Sequence, residues 1–249
     1  MKGWIYIEIR KGVYGLPQVG SFANKKLTKH LAKYGYHPTK LTPGLWKYKV
    51  NLVQLTLTVD DFFIKHIDQK DVEHLTSALK YQYEIWEDWE AKLYCSVKLQ
   101  WGYDKRTCVL SMPNYVATTL KDLQHQLPIR PQHAPHPWVK PTYGQKIQSV
   151  EEEDTTTKLS PKEVNIIQKI IGKFYYYART VDHTMLVELG ELTTKQTVDS
   201  NNQSDRGCST FLNYTATHQN AAIKYHASGM VLHVDSDASY LSVSKTGAG

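Results

Sequence analysis

The stretch Val53-Gln54-Leu55-Thr56-Leu57-Thr58-Val59-Asp60-Asp61-Phe62-Phe63-Ile64-Lys65-His66-Ile67 decides the reading of this chain. Two β-rich runs, Val53 to Val59 and Phe62 to Ile67, flank one polar pair, the pattern of a β-hairpin. The pair is two adjacent aspartates, Asp60 and Asp61. Aspartate suits a turn because its carboxylate can bond its own backbone. A doublet has a cost: two carboxylates about 4 Å apart repel by about 4 kcal/mol at an effective dielectric near 20. A divalent cation would reverse the sign, and hard cations such as Mg²⁺ take oxygen ligands and bring substrate phosphates with them. Two readings stand for the doublet alone. One is a solvated Asp-Asp turn, the commoner case, and the other is a metal site for phosphoryl transfer at the tip of a rigid hairpin.

The rest of the chain narrows the class. Its 249 residues are enough for one large domain or two small ones, and such a chain buries roughly three quarters of its unfolded surface. A formal charge of +6 and a pI near 9.0 favour a polyanionic partner. Three cysteines, Cys95, Cys108 and Cys208, have no metal-ligand spacing and cannot make a disulfide framework, which suits a reducing compartment. No run approaches the ~18 apolar residues that a membrane span needs, and the N-terminus has no signal-peptide core. The N-x-S/T triplets at Asn202 and Asn213 are then chance matches.

Upstream of the hairpin, Trp4 to Ile9 alternates as a half-buried strand. Lys11 to Gly20 reads as a loop, with Ser21 capping a helix that buries Ala23, Leu27, Leu31 and Tyr34 and ends near Gly35. The opposite face carries Lys25, Lys26, Lys29 and Lys33. Such a row either solvates a helix or tracks a phosphate backbone. Leu45 to Val50 is a further strand.

Downstream, Asp68 or Asp71 caps a helix with Val72, Leu75, Leu79 and Tyr83 on its apolar face. Leu93 to Trp101 and Thr107 to Leu110 form a second hairpin around residues 102–105, and Ser111 with Pro113 opens a helix. Residues 128–161 hold six of the ten prolines and the acidic run Glu151 to Asp154, the composition of a solvated connector. His133 and His136 lie in it and read as surface residues without a metal-binding context.

After the connector, Ser160-Pro161-Lys162-Glu163 matches a capping box, and Ile166, Ile167, Ile170, Ile171 and Phe174 supply a core face. Tyr175, Tyr176 and Tyr177 can pack in a core or stack bases. Met185 to Leu192 and Cys208 to Tyr214 continue as helices. Ala221 to His226 and Val231 to Val234 read as a terminal hairpin.

Three segments, in this order, resemble the reverse transcriptase of copia-type LTR retrotransposons. Leu16-Pro17-Gln18-Val19-Gly20 is similar to the family's LPQ-G element beside template and incoming nucleotide. Thr58-Val59-Asp60-Asp61 is similar to the Y-x-D-D hairpin of the palm, and Leu93-Tyr94-Cys95-Ser96-Val97-Lys98-Leu99 to the primer grip. Lys11 to Gln18, Thr42-Pro43-Gly44-Leu45-Trp46 and the helix Ile170 to Arg179 fit the same family, with Asp182 near its usual acidic position. Ser236-Asp237-Ala238 resembles the first active-site strand of a ribonuclease H domain.

The resemblance implies an α+β fold. A partial palm would span 1–110, the start of a thumb 111–127, a Pro-rich linker 128–160, a helical thumb and connection 161–220, and the start of a ribonuclease H-like domain 221–249. It implies two-metal nucleotidyl transfer with Mg²⁺ held by Asp60 and Asp61. Leu16, Pro17, Gln18 and Gly20 would position template and nucleotide, and Leu93, Tyr94, Cys95 and Ser96 would grip the primer. Asp237 would be a ribonuclease H remnant. Lys25, Lys26 and Lys29 have no residue-level match but can meet template phosphates. The implied partners are an RNA template, a DNA primer and the rest of the pol polyprotein, in a cytoplasmic particle and then the nucleus, with no membrane.

Departures qualify the expectation. The family uses a third aspartate on a strand before the LPQ loop, and this chain begins after that point. Thr58 stands where tyrosine is usual and Ser96 where glycine is usual. The expectation is therefore a polyprotein fragment without polymerase activity of its own. The alternative is a non-catalytic nucleic-acid-binding relic of a retroelement, and a third reading is a decayed product with no selected function.

Overall fold

Helix α1 (Pro17–Ala32) starts five residues earlier than the sequence suggests, with Leu16 rather than Ser21 as its N-cap, in extended backbone, and Pro17 in the first turn. The physical reason is that Pro17 is preorganised for a first helical turn and gives up an N–H that would be unpaired there anyway. The expected loop thus ends at Leu16, not Gly20. The computed structural model describes residues 16–48, 53–136, 160–195, 202–229, 231 and 233–236. The Trp4 to Ile9 strand, residues 11–15, the acidic run at 151–154 and Asp237 lie outside them. Among the described residues the architecture is α+β, with six α-helices and two antiparallel sheets. The chain divides into two compact units, residues 1–95 and 96–249, each with its own apolar core.

In the first unit, α1 is followed by β1 (Tyr36–Pro38), β2 (Leu45–Tyr48), β3 (Gln54–Thr58) and β4 (Asp61–Lys65), an antiparallel meander in sequence order. Strand β1 was not legible in the sequence. It forms because Gly35, at φ 90, reverses the chain after α1 and lets Tyr36 lie opposite Tyr48 with stacked rings 4.6 Å apart. A Cβ at Gly35 would sit 2.8 Å from the Tyr48 ring, so glycine serves both the turn and the packing. Helix α2 (Gln69–Lys80) is capped by Asp68, whose carboxylate accepts from the Lys70 N–H.

Leu31, Tyr36, Trp46, Val53, Leu55, Leu75, Ala78 and Leu79 form the core of this unit. Ala23, expected on the buried face of α1, is exposed. The buried polar group on α1 is His30, whose Nε2–H donates to the Ala78 carbonyl at 2.6 Å and so ties α1 to α2. Lys25, Lys26, Lys29 and Lys33 are all exposed.

The expected single strand from Leu93 to Trp101 is interrupted. Strand β5 (Leu93–Tyr94) ends at Cys95 and Ser96, both at positive φ (48° and 65°), and β6 (Val97–Gly102) begins after them. Two consecutive left-handed residues form a tight turn rather than extended chain.

In the second unit β6, β7 (Thr107–Ser111) and β8 (Ala222–His226) are successive antiparallel neighbours. Ser111 belongs to β7, and α3 (Tyr115–Asp122) is opened instead by Asn114, in the left-handed conformation that asparagine tolerates. Helix α4 (Pro161–Thr180) starts at the expected capping box of Ser160 and Glu163. A short 3₁₀ turn (His183–Met185) capped by Asp182 leads into α5 (Leu186–Lys195), and α6 (Asn202–Thr217) follows.

The core of this unit gathers Val116, Leu120, Ile167, Ile170, Phe174, Tyr177, Met185, Leu189, Leu192 and Phe211. Phe174 meets Phe211 edge to face at 5.3 Å. Ile166, expected in the core, is 51% exposed, and of the three tyrosines only Tyr177 is buried.

The terminal hairpin expected from Ala221 to Val234 does not form, since Val231 and residues 233–236 are not in a strand. Strand β8 pairs with β7 instead, placing Ile223 opposite Leu110, and the Ala227 N–H donates to the Arg106 carbonyl. A fourth strand on an existing sheet gains ladder pairing and half-buries Ile223, whereas an isolated two-stranded hairpin is marginal in water.

Candidate functional site

The hairpin register places the carboxylates. Strands β3 and β4 pair Leu55 with Ile64, Leu57 with Phe62 and Thr58 with Asp61. The two-residue turn is therefore Val59-Asp60, not the expected Asp60-Asp61. Closing the turn on the two aspartates would set Leu55 opposite the polar His66. The observed register matches apolar with apolar, and these four side chains pack against the core of the first unit. The cost falls on Val59, a β-branched residue held at φ 58 and 88% exposed. Asp60 sits in the turn and Asp61 opens β4, and both are exposed.

On the polar face of the hairpin, Thr56 and Thr58 point their hydroxyls at one phenol. The Tyr94 oxygen is 3.1 Å from that of Thr56 and 3.0 Å from that of Thr58, and its ring lies 5.1 Å from Phe63. Cys95 completes the group. Burial pushes its thiol above the ordinary value, hydrogen bonds with Tyr94 and Thr58 oppose this, and the Asp61 carboxylate adds to the rise through its charge and a hydrogen bond. Thr58, Asp61, Tyr94 and Cys95 thus come together from two segments that the sequence singled out separately. Leu93 and Ser96 are exposed.

The third segment is not joined to them. Leu16, Gln18 and Gly20 are exposed at the start of α1, and among the described residues none of them hydrogen-bonds to the hairpin. Asp237 lies outside the described residues.

Asp60 and Asp61 suit a hard cation chemically, since both are exposed carboxylates on adjacent residues and Mg²⁺ fills its remaining positions with water and phosphate oxygens. Among the described residues no third His, Cys, Asp or Glu completes a three-ligand group there. Such a group exists in the second unit: His136, Glu188 and Glu191 bring their ligand atoms within 4.8 Å of one another. His136 Nδ1 lies 2.7 Å from a Glu188 oxygen and 3.8 Å from a Glu191 oxygen.

The expectation that the connector histidines are surface residues holds for the exposed His133 and is corrected for His136. His136 docks on buried Glu188, and His133 Nδ1 lies 3.3 Å from His218 Nε2. The legible part of this signal was the Glu188-x-x-Glu191 spacing, which sets two carboxylates on one helical face. The arrival of His136, 52 residues away, was not legible.

The chain matches no protein-family model, no curated protein and no solved structure. Among the described residues no helix is long and apolar enough to cross a membrane.

Proposed function

We propose that this chain is part of a copia-type retrotransposon reverse transcriptase, and that the Asp60–Asp61 hairpin serves nucleotidyl transfer in the parent polyprotein. The observation that carries the reading is the meeting of the Asp-Asp hairpin with the Tyr94–Cys95 segment through shared hydroxyl and thiol contacts. Support also comes from Val59, because backbone strain clusters at working sites.

In this reading Asp60 and Asp61 hold Mg²⁺, which when bound would polarise the reacting phosphoryl group and the primer 3′-hydroxyl. The chain's own residues position the reactants. Tyr94, bonded to both threonines, holds the end of β3 and through it the start of β4 at Asp61. Gln18, within the segment Leu16 to Gly20, would steady the templating pair. Leu93 to Ser96 would hold the primer end. Lys25, Lys26 and Lys29 offer three exposed cations to the template backbone. The partners are an RNA template, a DNA primer and other polyprotein segments, in a cytoplasmic particle and then the nucleus.

The test uses Mn²⁺ as a spectroscopic stand-in for Mg²⁺. Mn²⁺ uptake is measured with a primed RNA template present, in a Glu191→Gln background that silences the second acidic cluster. Uptake that is lost in Asp60→Asn and Asp61→Asn is expected. Equal uptake by all three chains would overturn the reading.

A second reading, a nucleic-acid binder without catalysis, is favoured by the exposed lysine row and by the exposed Trp101–Tyr103 stack. It requires salt-sensitive binding that weakens when Lys25, Lys26 and Lys29 are replaced and ignores Asp60→Ala.

A further inference from the structure

We propose that His136, Glu188 and Glu191 form a site for a zinc-class divalent ion, which clamps the proline-rich connector onto α5. Glu188 is the anchor. Its side chain is only 3% exposed, so its carboxylate needs a compensating partner. The His136 Nδ1–H donates to one oxygen at 2.7 Å. The other oxygen occupies a space kept open by Gly207 on α6, where a Cβ would approach it to 2.8 Å.

Glu191, three residues on, lies on the same face of α5 and brings a second carboxylate to 3.8 Å from the same imidazole nitrogen. A single ion pair accounts for one carboxylate on one imidazole. Two carboxylates and an imidazole nitrogen converging on one point make a donor set that a dication can take up.

The donor set selects the ion. The three ligand atoms lie within 4.8 Å of one another, and donors held at about 2.0–2.2 Å from one ion sit at most about 4.4 Å apart, so a small side-chain adjustment seats an ion among them. An imidazole nitrogen with two carboxylates suits Zn²⁺, whereas Mg²⁺ and Ca²⁺ prefer oxygen alone. Binding uses the Nδ1 lone pair, so His136 binds as its Nε2–H tautomer, the proton on Nδ1 passing to Nε2 by way of solvent. The 2.7 Å contact opens by a small rotation of His136, whose side chain is 42% exposed. His136 lies on a segment without helix or strand, so the ion would fix that segment to α5.

The experiment titrates Zn²⁺ into the chelator-stripped full chain by competition with a chromophoric chelator, and follows thermal unfolding. The expected result is one ion per chain, with affinity reduced at least about 10-fold in His136→Ala and in Glu191→Gln. Glu191 is partly exposed, so Glu191→Gln keeps the fold if His136→Ala does not. The melting temperature should rise with Zn²⁺ in the wild type and in Asp60→Asn but not in Glu191→Gln. Affinity unchanged in Glu191→Gln, no bound ion at about 100 μM Zn²⁺, or displacement of Zn²⁺ by an equal concentration of Mg²⁺ would each overturn the proposal.

Discussion

The Tyr94 phenol oxygen stands 3.0 Å from the Thr58 hydroxyl, across 36 residues of sequence, and 3.1 Å from that of Thr56. One side chain therefore ties β5 to the strand that leads into the aspartates. Tyr94→Phe keeps the ring against Phe63 and removes only the hydroxyl. It should cost about 1–2 kcal/mol in urea unfolding and speed amide exchange along β3 and β4. No change in either quantity would mean that the three hydroxyls do not share a bond.

Val59 carries backbone strain at the tip. Val59→Gly should raise stability by about 1 kcal/mol, because glycine accepts positive φ without a Cβ penalty. Ser96→Gly should act in the same direction at φ 65. Chemical denaturation midpoints decide both, and a drop in either would show that the side chain contributes more than the strain costs.

Cys95 reports on the aspartate beside it. Burial and Asp61 both push its thiol up from the ordinary 9.0, so its alkylation should reach half-maximal rate at a more alkaline pH. Asp61→Asn should move that midpoint back down, with Cys95→Ser as the control for Cys108. The sign for stability follows from a raised value. The folded chain holds the proton more tightly, so this contribution is complete below the unfolded thiol value and is lost as pH rises through the folded one. A midpoint unmoved by Asp61→Asn would separate the two side chains.

Helix α4 starts on a pH-sensitive cap. The Ser160 hydroxyl and then its backbone N–H hold the Glu163 carboxyl below its ordinary value. The stabilisation is present above the unfolded glutamate value and is lost as pH falls through the depressed folded one. Glu163→Gln should flatten this acid limb in circular dichroism, and an unchanged limb would remove the cap as its source.

The two cores should respond to truncation like well-packed interiors. Leu75→Ala should cost about 2–5 kcal/mol and Phe174→Ala about 3–5 kcal/mol, since both side chains are fully buried. Values below 1 kcal/mol in guanidinium unfolding would contradict that packing.

Local patterns in the sequence were sufficient for the elements whose chemistry is local. The β3–β4 hairpin follows from alternation, the caps at Asp68 and Ser160 from side chains that reach N–H groups two or three residues on, and the exposed lysine row from its place opposite Leu27 and Leu31. The tertiary structure decided the rest. The matching of Leu55 with Ile64 moved the turn to Val59-Asp60, and Leu110 drew Ile223 from 113 residues away to make β8. The Tyr94–Thr58 bond and the seating of His136 on Glu188 also join residues far apart in the chain. Such contacts depend on which distant surfaces can bury or satisfy one another, and a window of neighbouring residues carries no record of that choice.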